Sequence, residues 1–286
     1  MNISSPETIT IYTPDSSLLN PARLVRTMFH DLWGGRELAW RLAVRDISAQ
    51  YRQAAFGLIW AFILPLTNTF VWIFLNVTGV IDIRDTELPY PVYVLTGTML
   101  WAIFMEATNA PLQQTIAAKP MLTKINFPRE ALIVSGIYQT LFNAALKTIV
   151  LVPAVVMLGV QLGWHLLFLP VAVLALILAG TAFGLLLTPV GMLYSDIGKS
   201  FPIIMQFLMY LTPVVFPIPT SGLAASLFNI NPVTPLILTA RDWITNMPAK
   251  HLADFATVNL GSLILLFLMW MVYRAAMPIL IERMSA

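Results

Sequence analysis

The chain has 286 residues, 58% of them hydrophobic and only 10% charged, with a formal net charge of +2 and a mean hydropathy of +0.78. A soluble domain carries about 25% charged residues to cover its surface, so much of this surface faces something other than water, and the small net charge gives no footing for nucleic acid. With no cysteine in the chain, disulfides, thiolate catalysis and cysteine metal sites are excluded.

Residues 1–33 are mostly polar and include Pro6, Pro14 and Pro21. They hold no apolar core followed by a small-residue cleavage site, so they read as a polar cytoplasmic tail and not as a cleavable signal. The first apolar span would itself direct insertion. Residues 34–53 then read as a helix lying in the membrane interface. Trp40, Val44, Ile47 and Tyr51 recur at i, i+4, i+7 and i+11 and make one apolar stripe, with Arg41, Arg45 and Arg52 alongside, within reach of lipid phosphates. A simple basic anchor is the plainer reading of the same charges.

Residues 54–286 are expected to form a six-span transmembrane domain. Six segments are long and apolar enough to cross roughly 30 Å of hydrocarbon at about 1.5 Å per residue: Phe56–Val80, Val92–Ala110, Ala131–Val160, Leu166–Leu193, Phe201–Ile218 and Phe255–Ile279. The fifth is the shortest, broken at its far end by Pro213, Pro217 and Pro219. The predicted fold class is therefore an all-α integral membrane protein with six transmembrane helices.

Orientation follows from Lys and Arg. Only Arg84, Arg241 and Lys250 fall on one set of flanks, Lys147 lies inside a span, and the remaining twelve of the sixteen fall on the opposite set. That asymmetry puts both termini in the cytoplasm, as an even number of spans requires. Between the fifth and sixth spans, Leu223–Phe228 and Val233–Ala240 are apolar but too short to cross, and Asn231, Pro232 and Pro235 interrupt them. They read as external re-entrant or interfacial helices, or as a folded external loop. No internal repeat is visible.

Little in the chain points to catalysis. His30, His165 and His251 are scattered and cannot form a metal site at helical spacing. Gly198-Lys199-Ser200 has the end of a phosphate-binding loop, but Leu193 stands where that motif needs glycine, and no strand precedes it. Two charges lie inside spans, Glu106 in the second and Lys147 in the third. Intramembrane charges default to functional hypotheses. With Glu106 near the end of its span and Lys147 near the middle, their depths differ by roughly 15 Å, so a direct pair within one subunit is not expected. Aromatic residues are abundant on the first and fifth spans. Trp60, Phe70, Phe74, Phe207 and Tyr210 are candidates to line a sugar-stacking path, against lipid contact as the plainer reading.

Trp33-Gly34-Gly35-Arg36-Glu37-Leu38, Arg45-Asp46, Tyr51-Arg52-Gln53 and Gly57-Leu58-Ile59-Trp60 with Pro65 resemble the opening of an ABC-2 type transporter permease. The closest group is that of the polysaccharide exporters for O-antigen, capsule and teichoic acid. Ile125-Asn126-Phe127-Pro128-Arg129-Glu130, Asp196-Ile197-Gly198, Thr212-Pro213-Val214 and Asn231-Pro232 follow the same pattern. The resemblance implies a non-catalytic transport subunit of the inner membrane, assembled as a homodimer with two copies of an ABC ATPase. It further implies that ATP and Mg are held by that partner and no cofactor by this chain, and that the cargo is a lipid-linked polysaccharide. The segment Pro111–Pro128, with Gln113, Gln114, Lys119, Lys124, Ile125 and Phe127, is then the candidate for ATPase docking. Arg41, Arg45 and Arg52 are candidates to meet a lipid pyrophosphate. A drug or small-lipid exporter of the same fold and an ion-coupled secondary transporter are the competing expectations.

Overall fold

The computed structural model describes residues 21–52, 59–83, 86–122, 124, 125 and 127–285, without the side chains of residues 21–23, 60, 61, 284 and 285. Gln53, Phe56, Gly57, Leu58, Arg84 and Asn126, used above, lie outside the described residues, as do residues 1–20 and the Trp60 side chain. Eleven α-helices make up the described structure, joined by turns and one 3-10 segment, with no strand among the described residues.

The first helix, α1 (Pro21–Gly34), falls in the expected polar tail. It buries Leu24 and Met28 and sets Phe29 edge-on against Trp270 at 5.4 Å. The tail reading missed it because two buried residues one turn apart carry the packing among otherwise polar neighbours. After Gly35, α2 (Arg36–Arg52) follows the expected interface helix closely. Its buried face is Ala39, Leu42 and Ala43, while Trp40 and Val44 of the expected stripe are exposed. Small residues let α2 approach the helix Glu130–Met157 closely, and Trp40, though exposed, still sets its ring edge-on against Tyr138 of that helix at 5.8 Å.

Four long helices carry the body: α4 (Tyr90–Ala117), α6 (Glu130–Met157), α7 (Leu169–Leu193) and α11 (Leu252–Ser285). The sequence of α7 is apolar on every side, which is how a central helix reads, and it packs against α4, α11 and α10 (Val233–Ile244). Its contact with α4 is close because glycines face it. A β-carbon on Gly180 would stand 2.6 Å from the β-carbon of Ala107, and one on Gly184 would stand 2.3 Å from the Thr108 carbonyl oxygen. Among the described residues, three segments are long and apolar enough to cross a membrane by length and composition alone: Glu130–Met157, Trp164–Leu193 and Leu252–Arg283. Gly222–Ile230 with Val233–Ile244 pass together as a bent fourth, where six spans were expected.

The remaining elements are shorter: α3 (Trp60–Val77), α5 (Lys119–Leu122), α8 (Ser195–Tyr210) and α9 (Gly222–Ile230). The expected fifth span, Phe201–Ile218, needs correction. Its helix starts at Ser195 and stops at Tyr210, a rise of only about 24 Å, and a turn follows. Pro213 and Pro217 forbid continuation. The turn's free carbonyls are taken up by protein: the Tyr93 hydroxyl donates to Pro213 and Phe216, and the Arg241 guanidinium donates to Pro213 at 2.7 Å. A β-carbon at Gly97 would collide with the Val214 carbonyl, so only glycine admits this approach. Helices α9 and α10 meet at an 80° bend, where Asn231 donates to the Leu211 carbonyl and to Thr212.

Helix α1 and the later part of α11 meet at one end of the bundle. There Arg274 of α11 donates to Glu130 at the start of α6 and to Asp31 of α1 (2.6 Å), and Lys119 donates to the Met192 carbonyl. The opposite end is closed by Lys250 with Glu87 and by Asn246 with His165 at 2.8 Å.

Candidate functional site

Two features of the molecule bear on function: exposed rings on two helices and a polar network between helices. On α3, Phe70 and Phe74 are one turn apart and both point outward, Phe70 being 70% exposed. On α8, Phe207 is 67% exposed, and Tyr210 is exposed as well, its hydroxyl accepting from Gln206 at 2.9 Å. Trp72, on the inner side of α3, packs edge-on against both Tyr210 (6.0 Å) and Phe216 (5.3 Å). That contact joins α3 to the end of α8, while Phe70 and Phe74, each two residues from Trp72, lie on the opposite side of α3.

The basic residues of α2 are already partnered in part. Arg41 bonds Glu37 at 2.6 Å and Arg45 bonds Asp46 at 2.8 Å, while Arg52 is exposed. An exposed pair such as Arg41–Glu37 contributes about 0–1 kcal/mol.

The expected docking segment divides. Lys124 and Ile125 are exposed, Gln113 and half-buried Lys119 stand at the same end, and Phe127 is half-buried against the core. Gln114 faces inward, 7% exposed, and donates to Gln139 at 2.7 Å. It holds α4 to α6 and is not available to a partner.

The expectation that Glu106 and Lys147 lie too far apart to meet is overturned. Lys147, 5% exposed, donates to Glu106 at 2.6 Å. The span containing Glu106 does not end at Ala110; α4 runs through Pro111 to Ala117, which places Glu106 deeper than expected. An aligned ammonium–carboxylate pair is the arrangement in which such charges tolerate burial. The pair does not stand alone. Asn143 donates to Glu106 and accepts from the Tyr51 hydroxyl at 2.6 Å. Burial, and then the nearby Glu106 carboxylate, push the Tyr51 phenol up to about 12, keeping it a neutral donor. A second relay runs from Gln114 to Gln139 and from Gln139 to Gln50. Both relays tie the last turn of α2 into the α4–α6 pair.

Sequence reading also missed Arg241. Counted there as an outer flanking charge, it is 2% exposed, lies over the Tyr93 ring at 3.7 Å and binds carbonyls in place of a carboxylate. The one available signal was an arginine inside the apolar run from Val233 to Ile244. Among the described residues, no group of three or more His, Asp or Glu is arranged to hold a metal ion.

Several long apolar helices around buried polar groups, with broken helices sealed by protein, define a multi-pass membrane protein. The chain belongs to the ABC-2 type transporter family, whose model matches residues 37–243. It is also similar to the O-antigen export system permease protein RfbA of Myxococcus xanthus, at 24% identity over 222 residues, covering 75% of this chain and 81% of that protein.

Proposed function

We propose that this chain is the membrane-spanning subunit of an ATP-driven exporter that carries a lipid-linked polysaccharide, such as O-antigen, from the cytoplasm to the outer side of the inner membrane. The observation that carries the reading is the alignment with an O-antigen export permease over most of both chains. The exposed rings of Phe70 and Phe74 on α3 and Phe207 and Tyr210 on α8 support it, since ring faces stack on sugars without a deep pocket.

In this reading α3, α4, α6, α7, α8 with its following turn, and α11 are the six spans. Helices α9 and α10 are re-entrant elements on the outer side. The even count fits the meeting of α1 and α11 at Arg274, and the basic residues put that end in the cytoplasm. The subunit works as a homodimer with two ABC ATPase subunits, which hold ATP and Mg. Lys124 and Ile125, with Gln113, Lys119 and Phe127 nearby, face those subunits. Arg41, Arg45 and Arg52 meet the pyrophosphate of the lipid carrier.

The test is export in cells depleted of this chain. Lipid-linked glycan should accumulate on the inner leaflet and surface glycan should fall, with recovery on re-expression only when the partner ATPase is present. Unchanged surface glycan with lost efflux of a small amphiphile would favour a drug or lipid exporter. Transport that survives ATP depletion but stops with the ion gradient would favour an ion-coupled carrier. Single cysteines at positions 87 and 124 should label from the outside and the cytoplasm respectively.

A further inference from the structure

Beside the last two turns of α2, between α4 and α6, lies a cleft of about 390 Å³. Polar side chains from three helices line it: Asp46 and Gln50 from α2, Glu106, Asn109 and Gln113 from α4, and Gln139 from α6. The two relays described above fix its walls, because Lys147 and Asn143 hold Glu106 while Gln50 and Gln114 hold Gln139. Asn109 and Gln113 make only a long 3.4 Å contact with each other, which leaves amide donors and acceptors turned to the space. Gln50 and Gln113 are exposed and mark its mouth.

The lining selects among ligands. Asp46 is already paired with Arg45 and Glu106 with Lys147, and the lining among the described residues holds no cation to meet a phosphate or sulfate. A bare cation finds Glu106 already neutralised by Lys147, and no metal-like cluster stands there among the described residues. A purely apolar group would leave the amides unbonded at a cost. A neutral ligand dense in hydroxyls suits the site, because each hydroxyl both donates and accepts and so satisfies carboxylates and amides alike. The volume is within the range of small-ligand pockets. We infer that this cleft binds the hydroxyl-bearing face of a sugar. For the origin of that sugar the inference rests on the exporter reading, in which a glycan on a lipid carrier approaches along the membrane past α2.

The probe is octyl glucoside carrying a photoreactive group in its tail, mixed into phospholipid nanodiscs containing the full-length protein. A probe with the same tail and a phosphocholine head is the control. Peptides covering residues 46–50 and 106–113 should be labelled by the glucoside in preference to the control. Asn109→Leu and Gln113→Leu should each reduce that labelling about fivefold, the equivalent of one hydrogen bond of about 1 kcal/mol. Gln113 lies at the surface, so its variant keeps the test valid if Asn109→Leu impairs folding. Competition by free glucose would support recognition of the sugar alone, and competition by unmodified octyl glucoside only would support a lipid-borne sugar. Equal labelling by both heads, or undiminished labelling in the folded variants, would overturn the site while leaving the exporter reading standing. Surface glycan that is indifferent to loss of the whole chain would overturn the exporter reading and leave the labelling result intact.

Discussion

The α4–α7 seam and the exposed rings of α3 and α8 solve opposite problems with opposite residues. In the seam, Gly180 and Gly184 let two backbones approach until a methyl group no longer fits. That is how helices gain van der Waals contact where lipid offers no hydrophobic drive. On α3 and α8, Phe70, Phe74 and Phe207 project large rings with no partner in the chain's interior. The seam therefore holds one subunit together, while these rings are surface made for something outside it. Size of side chain, and not polarity, separates the two.

The sharpest way to break this comparison is in the seam. Gly184→Leu would drive a side chain into the Thr108 carbonyl and Pro111, and more than about 4 kcal/mol of destabilisation is expected. It should be read as loss of the monodisperse peak in gel filtration. Next comes Lys147→Met, which strands the Glu106 carboxylate and should cost about 3–5 kcal/mol. Pairing it with Glu106→Gln should restore most of the thermal stability, and failure to do so would mean that the ammonium acts through something other than Glu106. Trp72→Ala tests the join between α3 and the end of α8. Two ring contacts and a half-buried indole are lost, and a cost of about 3 kcal/mol is expected in the melting curve. Smallest in stability are Phe70→Ala and Phe207→Ala, expected to stay within about 0.5 kcal/mol of the parent while glycan export drops. Protein lost on either change would show that the rings pack and would erase the distinction.

The four long helices were legible because a run of apolar residues has few readings once it exceeds the width of a bilayer. The second span was drawn too short, ending at Ala110. Pro111 sits inside α4, which continues to Ala117, and that error of one to two turns hid the Glu106–Lys147 pair. Where prolines cluster, as at Pro213 and Pro217, the helix did end, and earlier than expected. The fully buried face of α2 was not foreseen: Ala39, Leu42 and Ala43 take it, while Trp40 and Tyr51 of the expected stripe reach α6 beside it. Arg241 looked like a loop charge because its partners are backbone carbonyls, which no side-chain pattern announces. Phe70, Phe74, Phe207 and Tyr210 are exposed, and aromatics on apolar helices can be picked out without any knowledge of tertiary contacts.

The bond from Arg274 to Asp31 joins residues 243 positions apart. During synthesis Asp31 leaves the ribosome long before Arg274, so this knot of α1, α6 and α11 closes only after every intervening helix has been made. Until then Glu130, nearly enclosed at the head of α6, lacks its guanidinium, and α1 lacks its fastening to the final helix. A chain halted before Arg274 thus displays an open seam where α1 meets α6, and the arrival of α11 is written into the same ion pairs that hold this end of the subunit closed.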